Sequence, residues 1–137
     1  MSGQSQASQW LKFARDDLII ARDDLIIARH AFEEVHPKQI FISCYHCQQA
    51  AEKALKAFLI FKEQAFPFTH DLDWLCRLCA GFLDKFEDVA NDCTDLTPYA
   101  TQARYPGTEE ITESEAESAL RKAERVFALC ESLIKTE

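Results

Sequence analysis

Four side chains capable of binding chemistry recur along one side of a helical run near residues 38–63. With Cys44 as reference, His46, Gln49, Lys53 and Lys56 fall at about 120° to 200°, whereas Cys47, Ala51, Leu55, Phe58 and Leu59 lie within roughly 60° of it. His46, Gln49 and Lys53 therefore make a candidate ligand-binding stripe beside an apolar face. A solvated surface histidine is the plainer reading of His46. Elsewhere, His70 precedes a helix start, where it suits an anion at the helix amino terminus or a simple loop-capping role. Arg104 and Tyr105 offer a guanidinium and an aromatic face for a phosphate and a base, or else a structural turn held by tyrosine packing. A binding site built from these residues requires His46, Lys53, Arg104 and Tyr105 to converge.

Six cysteines raise a second kind of chemistry. Cys44-x-x-Cys47 and Cys76-x-x-Cys79 have the pair spacing of a four-cysteine zinc site. Both pairs, however, lie in continuous helical patterns without the Gly or Pro turn of a zinc knuckle, and Cys44 and Cys47 sit on the apolar face. Core packing as small hydrophobes is the reading taken, with zinc and a redox pair as alternatives, and no metal or cofactor is expected.

The elements that must position these residues are helices. Apolar residues make up 47% of the 137-residue chain, including ten Phe and two Trp, while three Gly and four Pro leave little material for turns. One domain with its own core fits this length. Residues 1–7 are expected as a flexible amino-terminal segment and residues 8–137 as a single domain. A first helix is predicted from about Ser8 to Val35, with Trp10, Ala14, Ala21, Leu25, Ala28 and Phe32 as its apolar stripe. Pro37 suits the first turn of a second helix reaching about Glu63. The Thr69-His70-Asp71 cluster can cap a third through roughly Phe82 to Asp88. Asn91 to Pro98 reads as a break, Pro98 to Arg104 as a short helix or turn, and Thr112-x-x-Glu115 as a capping box opening a last helix to about Ile134. The expected fold is all-α, an up-and-down bundle of about five helices with two long leading helices. Ala50, Ala54 and Ala57 permit close helix approach, within the bundle in preference to across a dimer.

The net charge of -8 argues against a protein that coats nucleic acid non-specifically, since such binding neutralises phosphates with Lys and Arg. No apolar stretch of about 18 residues and no basic-then-apolar leader pattern occurs, so neither a membrane span nor export is indicated and a cytoplasmic protein is expected.

The block Cys44-Tyr45-His46-Cys47-Gln48-Gln49-Ala50-Ala51-Glu52-Lys53-Ala54-Leu55-Lys56 closely resembles the helix signature of HEPN domains, the nucleotide-binding helical family of higher eukaryotes and prokaryotes. The resemblance extends over nearly the whole chain, through Trp10-Leu11, Asp17-Leu18-x-x-Ala21, Thr69-His70-Asp71-Leu72 and Ala103-Arg104-Tyr105-Pro106. It implies a bundle of about five helices, usually homodimeric. It also implies a frequent pairing with a minimal nucleotidyltransferase in bacterial toxin–antitoxin or defence modules, with nucleotide or RNA as ligand. Some such domains are metal-independent ribonucleases in which an Arg and a His a few residues apart meet across the dimer, the His acting on the 2'-hydroxyl or leaving group and the Arg on the phosphorane charge. Arg29 and His36 are the candidate catalytic pair by spacing, but they lie at the end of helix one, away from the family's usual position. The expectation is therefore a binding component of a two-component module, with a ribonuclease toxin as the alternative.

Residues 14–27 repeat ARDDLII twice without a substitution. Seven residues are two helical turns, so the copy rotates the downstream face by only ~20° while lengthening the helix by roughly 10 Å. Ile19 and Ile26 lie about 160° to 180° from Trp10, outside the core stripe, and are expected to form an interface whose strength the copy number tunes.

Overall fold

Buried alanines line both helices of the principal packing pair among the described residues. The computed structural model describes residues 5–16, 19, 38–101 and 111–135. Among these, helix α1 covers residues 5–16 and residue 19, α2 Lys38–Phe61, α3 Leu72–Ala80, α4 Ala90–Leu96 and α5 Glu113–Lys135, with 3-10 turns at Asp84–Val89 and Thr97–Ala100. No strand occurs among the described residues. The chain is an all-α helical bundle. Helix α2 packs chiefly against α5 and, at its other side, against α3. Ala50, Ala54 and Ala57 of α2 and Ala116, Ala119 and Ala123 of α5 are all buried within the single chain, so small side chains let the backbones pack tightly.

Larger residues fill the ends. Phe58 of α2 meets Phe86 with ring centroids 4.7 Å apart and Phe82 edge-on at 6.3 Å. Helix α1 contributes Ala7, Leu11 and Ala14, which are buried at i, i+4 and i+7, and Arg15 pairs with Glu131 of α5. The helix begins earlier than Ser8, since Ser5, Gln6 and Ala7 are already helical. The amino-terminal side of α2, with Pro37 and the end of helix one, lies outside the described residues.

Three boundaries differ from the pattern in the sequence. Helix α2 stops at Phe61 without a glycine: Gln64 N–H donates to Leu59 O and Glu63 N–H to Ile60 O, with Glu63 in the left-handed region at φ 55°. Helix α3 ends at Ala80, short of Phe82: Gly81 is still in the right-handed region, Leu83 is extended, and the chain then turns to insert Phe86. The run Asn91–Pro98 is largely helical instead of a break. Its Asn, Asp and Thr residues have poor helix propensity, but Val89, Cys93 and Leu96 bury one face, and Thr94 and Thr97 hydroxyls donate back to Ala90 O and Cys93 O. Pro98 is the second residue of the 3-10 turn that starts at Thr97, where its missing N–H costs nothing.

The expected last helix stands. Thr112 Oγ1 accepts from Glu115 N–H at 3.0 Å, but the Glu115 carboxylate accepts from Tyr99 Oη at 3.1 Å, so that side chain ties the Thr97–Ala100 turn to α5.

Candidate functional site

A spacing of four places Gln48, Glu52 and Lys56 one above another on α2. All three are buried, at 0%, 4% and 7% exposure. A charge taken from water must be paired and hydrogen-bonded, and Glu52 meets that requirement fully. Its Oε2 accepts from Lys56 Nζ at 2.9 Å, and its Oε1 accepts from Gln48 Nε2 at 3.1 Å and from His70 Nδ1 at 2.8 Å. Gln48 Nε2 also donates to the His70 carbonyl at 3.1 Å, and Gln48 Oε1 accepts from Gln49 Nε2 at 2.8 Å. The network therefore grips both the backbone and the ring of His70 and fastens the segment between α2 and α3 to the bundle.

The start of α3 completes that fastening. Asp71 is the cap: its Oδ1 accepts from Asp73 N–H at 3.0 Å and Trp74 N–H at 3.4 Å, while Thr69 Oγ1 accepts from Asp71 N–H. His70 is held between these two anchors with its side chain 55% exposed. Because Nδ1 faces Glu52, Nε2 lies on the ring's opposite edge. Phe68 lies beside it, with ring centroids 6.1 Å apart in an edge arrangement, and is 96% exposed. Lys56 Nζ lies 5.7 Å and 5.8 Å from the ring centroids of Phe66 and Phe68.

Two sequence candidates, Gln49 and His70, thus join one network. His46 and Lys53 stand partly exposed on α2, with the His46 ring edge-on to Tyr45 at 5.4 Å. Lys56 leaves the solvent stripe proposed for it and turns inward to Glu52, as a long stem allows. Arg104 and Tyr105 lie outside the described residues, as do Arg29, His36 and Ile26. Ile19 is described and 54% exposed, and Phe13 on the same helix is 53% exposed. Sequence reasoning passed over Gln48 and Glu52. The signal was present: relative to Cys44, Gln48 falls at about 40°, inside the apolar arc, and Glu52 at about 80°, just beyond its edge.

The cysteines pack in the core, all six of them buried. Cys76 and Cys79 of α3 neighbour Cys93 of α4 and Cys130 of α5. A hydrogen bond from Cys93 holds the Cys76 thiol below its ordinary range, and the same bond, followed by burial, pushes Cys93 up. Burial pushes Cys79 and Cys130 up. Cys79 Sγ donates to Leu55 O and Cys76 Sγ to Phe86 O. Among the described residues no group of three or more His, Cys, Asp or Glu side chains has the geometry to hold a metal ion. None of the helices there is long and apolar enough to cross a membrane.

The described residues form an all-α bundle in which a Gln48-Glu52-Lys56 ladder clasps the His70-Asp71 loop, and solved structures share the overall fold. TT1696 from Thermus thermophilus is similar at 28% identity, with 93% of this chain and 97% of that one covered and a TM-score of 0.73. An archaeal HEPN homologue shares the fold at 24% identity and a TM-score of 0.59, covering 88% of this chain and 97% of its own. No curated protein matches. The model of the HEPN domain matches residues 7–133, nearly the whole chain. This chain belongs to the HEPN family.

Proposed function

We propose that this chain is the nucleotide- or RNA-binding component of a bacterial two-component module, acting as a cytoplasmic homodimer beside a minimal nucleotidyltransferase of toxin–antitoxin or defence type. The observation that carries the reading is the Glu52-centred network, which presents His70 at the surface in a fixed orientation on a HEPN bundle. Binding is favoured over catalysis because the Arg29 and His36 pair stands away from the family's usual position in the sequence and the net charge is -8. Ile19, 54% exposed on α1, suits the seam between two copies, with Ile26 continuing it through the repeated heptad.

The test is equilibrium binding of ATP and of a short single-stranded RNA to the full chain. RNA integrity is read in the same samples, and the purified nucleotidyltransferase partner is added in a second series. Binding without cleavage, and a stable complex with the partner, are the expected results. RNA cleavage that disappears in Arg29→Ala and His36→Ala would replace this reading with the ribonuclease one, and absence of any nucleotide or RNA binding would remove it.

A further inference from the structure

We propose that Cys76 and Cys93 form an oxidation site, at which hydrogen peroxide converts the two thiols into a disulfide that staples α3 to α4. The site shares no residue with the Glu52 network or with the candidate binding residues, and its pairing differs from the Cys76-x-x-Cys79 spacing visible in the sequence.

Placement is the first reason. Cys76 and Cys79 of α3, Cys93 of α4 and Cys130 of α5 neighbour one another in the core, all as free thiols. Of these, Cys76 and Cys93 share a hydrogen bond, so their sulfurs already face each other between the two helices. The Thr94 hydroxyl donates to the Asp73 carboxylate at 2.6 Å, which holds α3 and α4 in the register that keeps the pair together. Cys79 turns instead toward α2, where its Sγ donates to Leu55 O at 3.7 Å.

Access is the second reason. Cys76 keeps 3% of its surface open, whereas Cys79, Cys93 and Cys130 keep none. The 3-10 turn Asp84–Val89 lies over it: the Phe86 carbonyl accepts from Cys76 Sγ at 3.5 Å, while Asp84, Lys85, Glu87 and Asp88 are exposed. A short turn of this kind opens locally more readily than a packed helix, so a small oxidant reaches Cys76 first. The charged groups around Cys76 are Arg77 and Asp73 on its own helix and Asp92 on α4. Asp92 is neutralised by paired bonds from Arg125, and Asp73 accepts from Thr94. The hydrogen bond from Cys93 holds the Cys76 thiol below its ordinary range, which favours the reactive thiolate.

The Cys76 thiolate attacks one peroxide oxygen; an S–O bond forms, the O–O bond breaks, and the released hydroxide takes up the thiol's proton and leaves as water. Cys93 Sγ then attacks the Cys76 sulfur, forming the S–S bond and breaking the S–O bond. Its proton moves to the departing hydroxyl, which leaves as a second water, so Cys93 needs no free thiolate although the bond to Cys76 and burial push it up. Two thiols are oxidised and one peroxide is reduced.

The experiment exposes the full chain to hydrogen peroxide, blocks the remaining thiols with iodoacetamide after unfolding, and maps tryptic peptides by mass spectrometry. The expected product is a Cys76–Cys93 linked pair lighter by two hydrogens and reversed by dithiothreitol. It should form at least about tenfold faster than any oxidation of Cys44 or Cys47, which are buried on α2 and serve as internal controls. In Cys93→Ser, whose hydroxyl keeps a donor toward Cys76, dimedone should trap Cys76 as the sulfenic acid; in Cys76→Ser, Cys93 should stay reduced. Far-UV circular dichroism checks that both variants fold, and the wild-type map decides even where they do not. A wild type in which Cys76 and Cys93 both still carry iodoacetamide, at a peroxide dose that fully oxidises free cysteine, would overturn the proposal. So would a bridge from Cys76 to Cys79 or Cys130.

Discussion

Replacing Glu52 by Gln tests the network with the smallest change of shape. The carboxylate accepts on both oxygens, from Lys56 on one side and from Gln48 and His70 on the other. An amide has one oxygen and one NH2 group, so either orientation points donors at donors. Facing Lys56 with the oxygen leaves Gln48 and His70 against the NH2 group, and the reverse leaves a buried ammonium against it. Lys56 and Glu52 side chains are 9% and 6% exposed, so water does little to relieve the conflict. Breaking one partner of a buried pair costs about 3–5 kcal/mol. Outward rotation of the half-exposed His70 ring, and the Phe66 and Phe68 faces near Lys56, place this case near the lower end, about 3 kcal/mol. For a chain of this size that is a fall in melting temperature of roughly 10 °C. Urea unfolding measures it as a lower midpoint with an unchanged slope, and hydrogen exchange should show lost protection at residues 64–71 before the rest of the bundle. The double replacement Glu52→Leu with Lys56→Met should cost less than Glu52→Leu alone, since no charge is then stranded. A Glu52→Gln protein within about 0.5 kcal/mol of wild type, with the loop still protected, would refute the reasoning.

Five further outcomes are expected. Asp92→Ala removes the paired bonds from Arg125 at 2.9 Å and 2.8 Å that tie α4 to α5, and because Arg125 is 55% exposed the cost should be about 1–2 kcal/mol in urea unfolding. Glu63→Gly relieves a left-handed residue at the end of α2 and should stabilise the chain by about 0.5–1 kcal/mol in the same assay. Asp71→Ala removes the α3 cap and should cost about 1 kcal/mol. Ile19→Glu should weaken self-association in sedimentation velocity while leaving far-UV circular dichroism unchanged. Deleting residues 21–27 should do the same if the second heptad copy extends that seam.

The sequence by itself determined the all-α class, the family, and the faces of the strongly periodic helices. The period of the apolar residues survives any packing arrangement, and the capping residues at Asp71 and Thr112 act locally. Local chemistry misled where tertiary burial outweighed propensity: α4 forms from a run rich in Asn, Asp and Thr because Cys93 and Leu96 have a core to enter. The end of α2 was placed within two residues, at about Glu63, but its left-handed closure at that glutamate, with no Gly there, was not legible. The candidate site divides along the same line. His70, Gln49 and the stripe on α2 were legible as residue types at a helical spacing. Only the tertiary structure decided that Lys56 turns inward, that Glu52 is the hub, and that the His70 ring is fixed with one edge outward. Those contacts join positions 18 and 22 residues apart, and no periodicity within one helix encodes a partner on a loop beyond it.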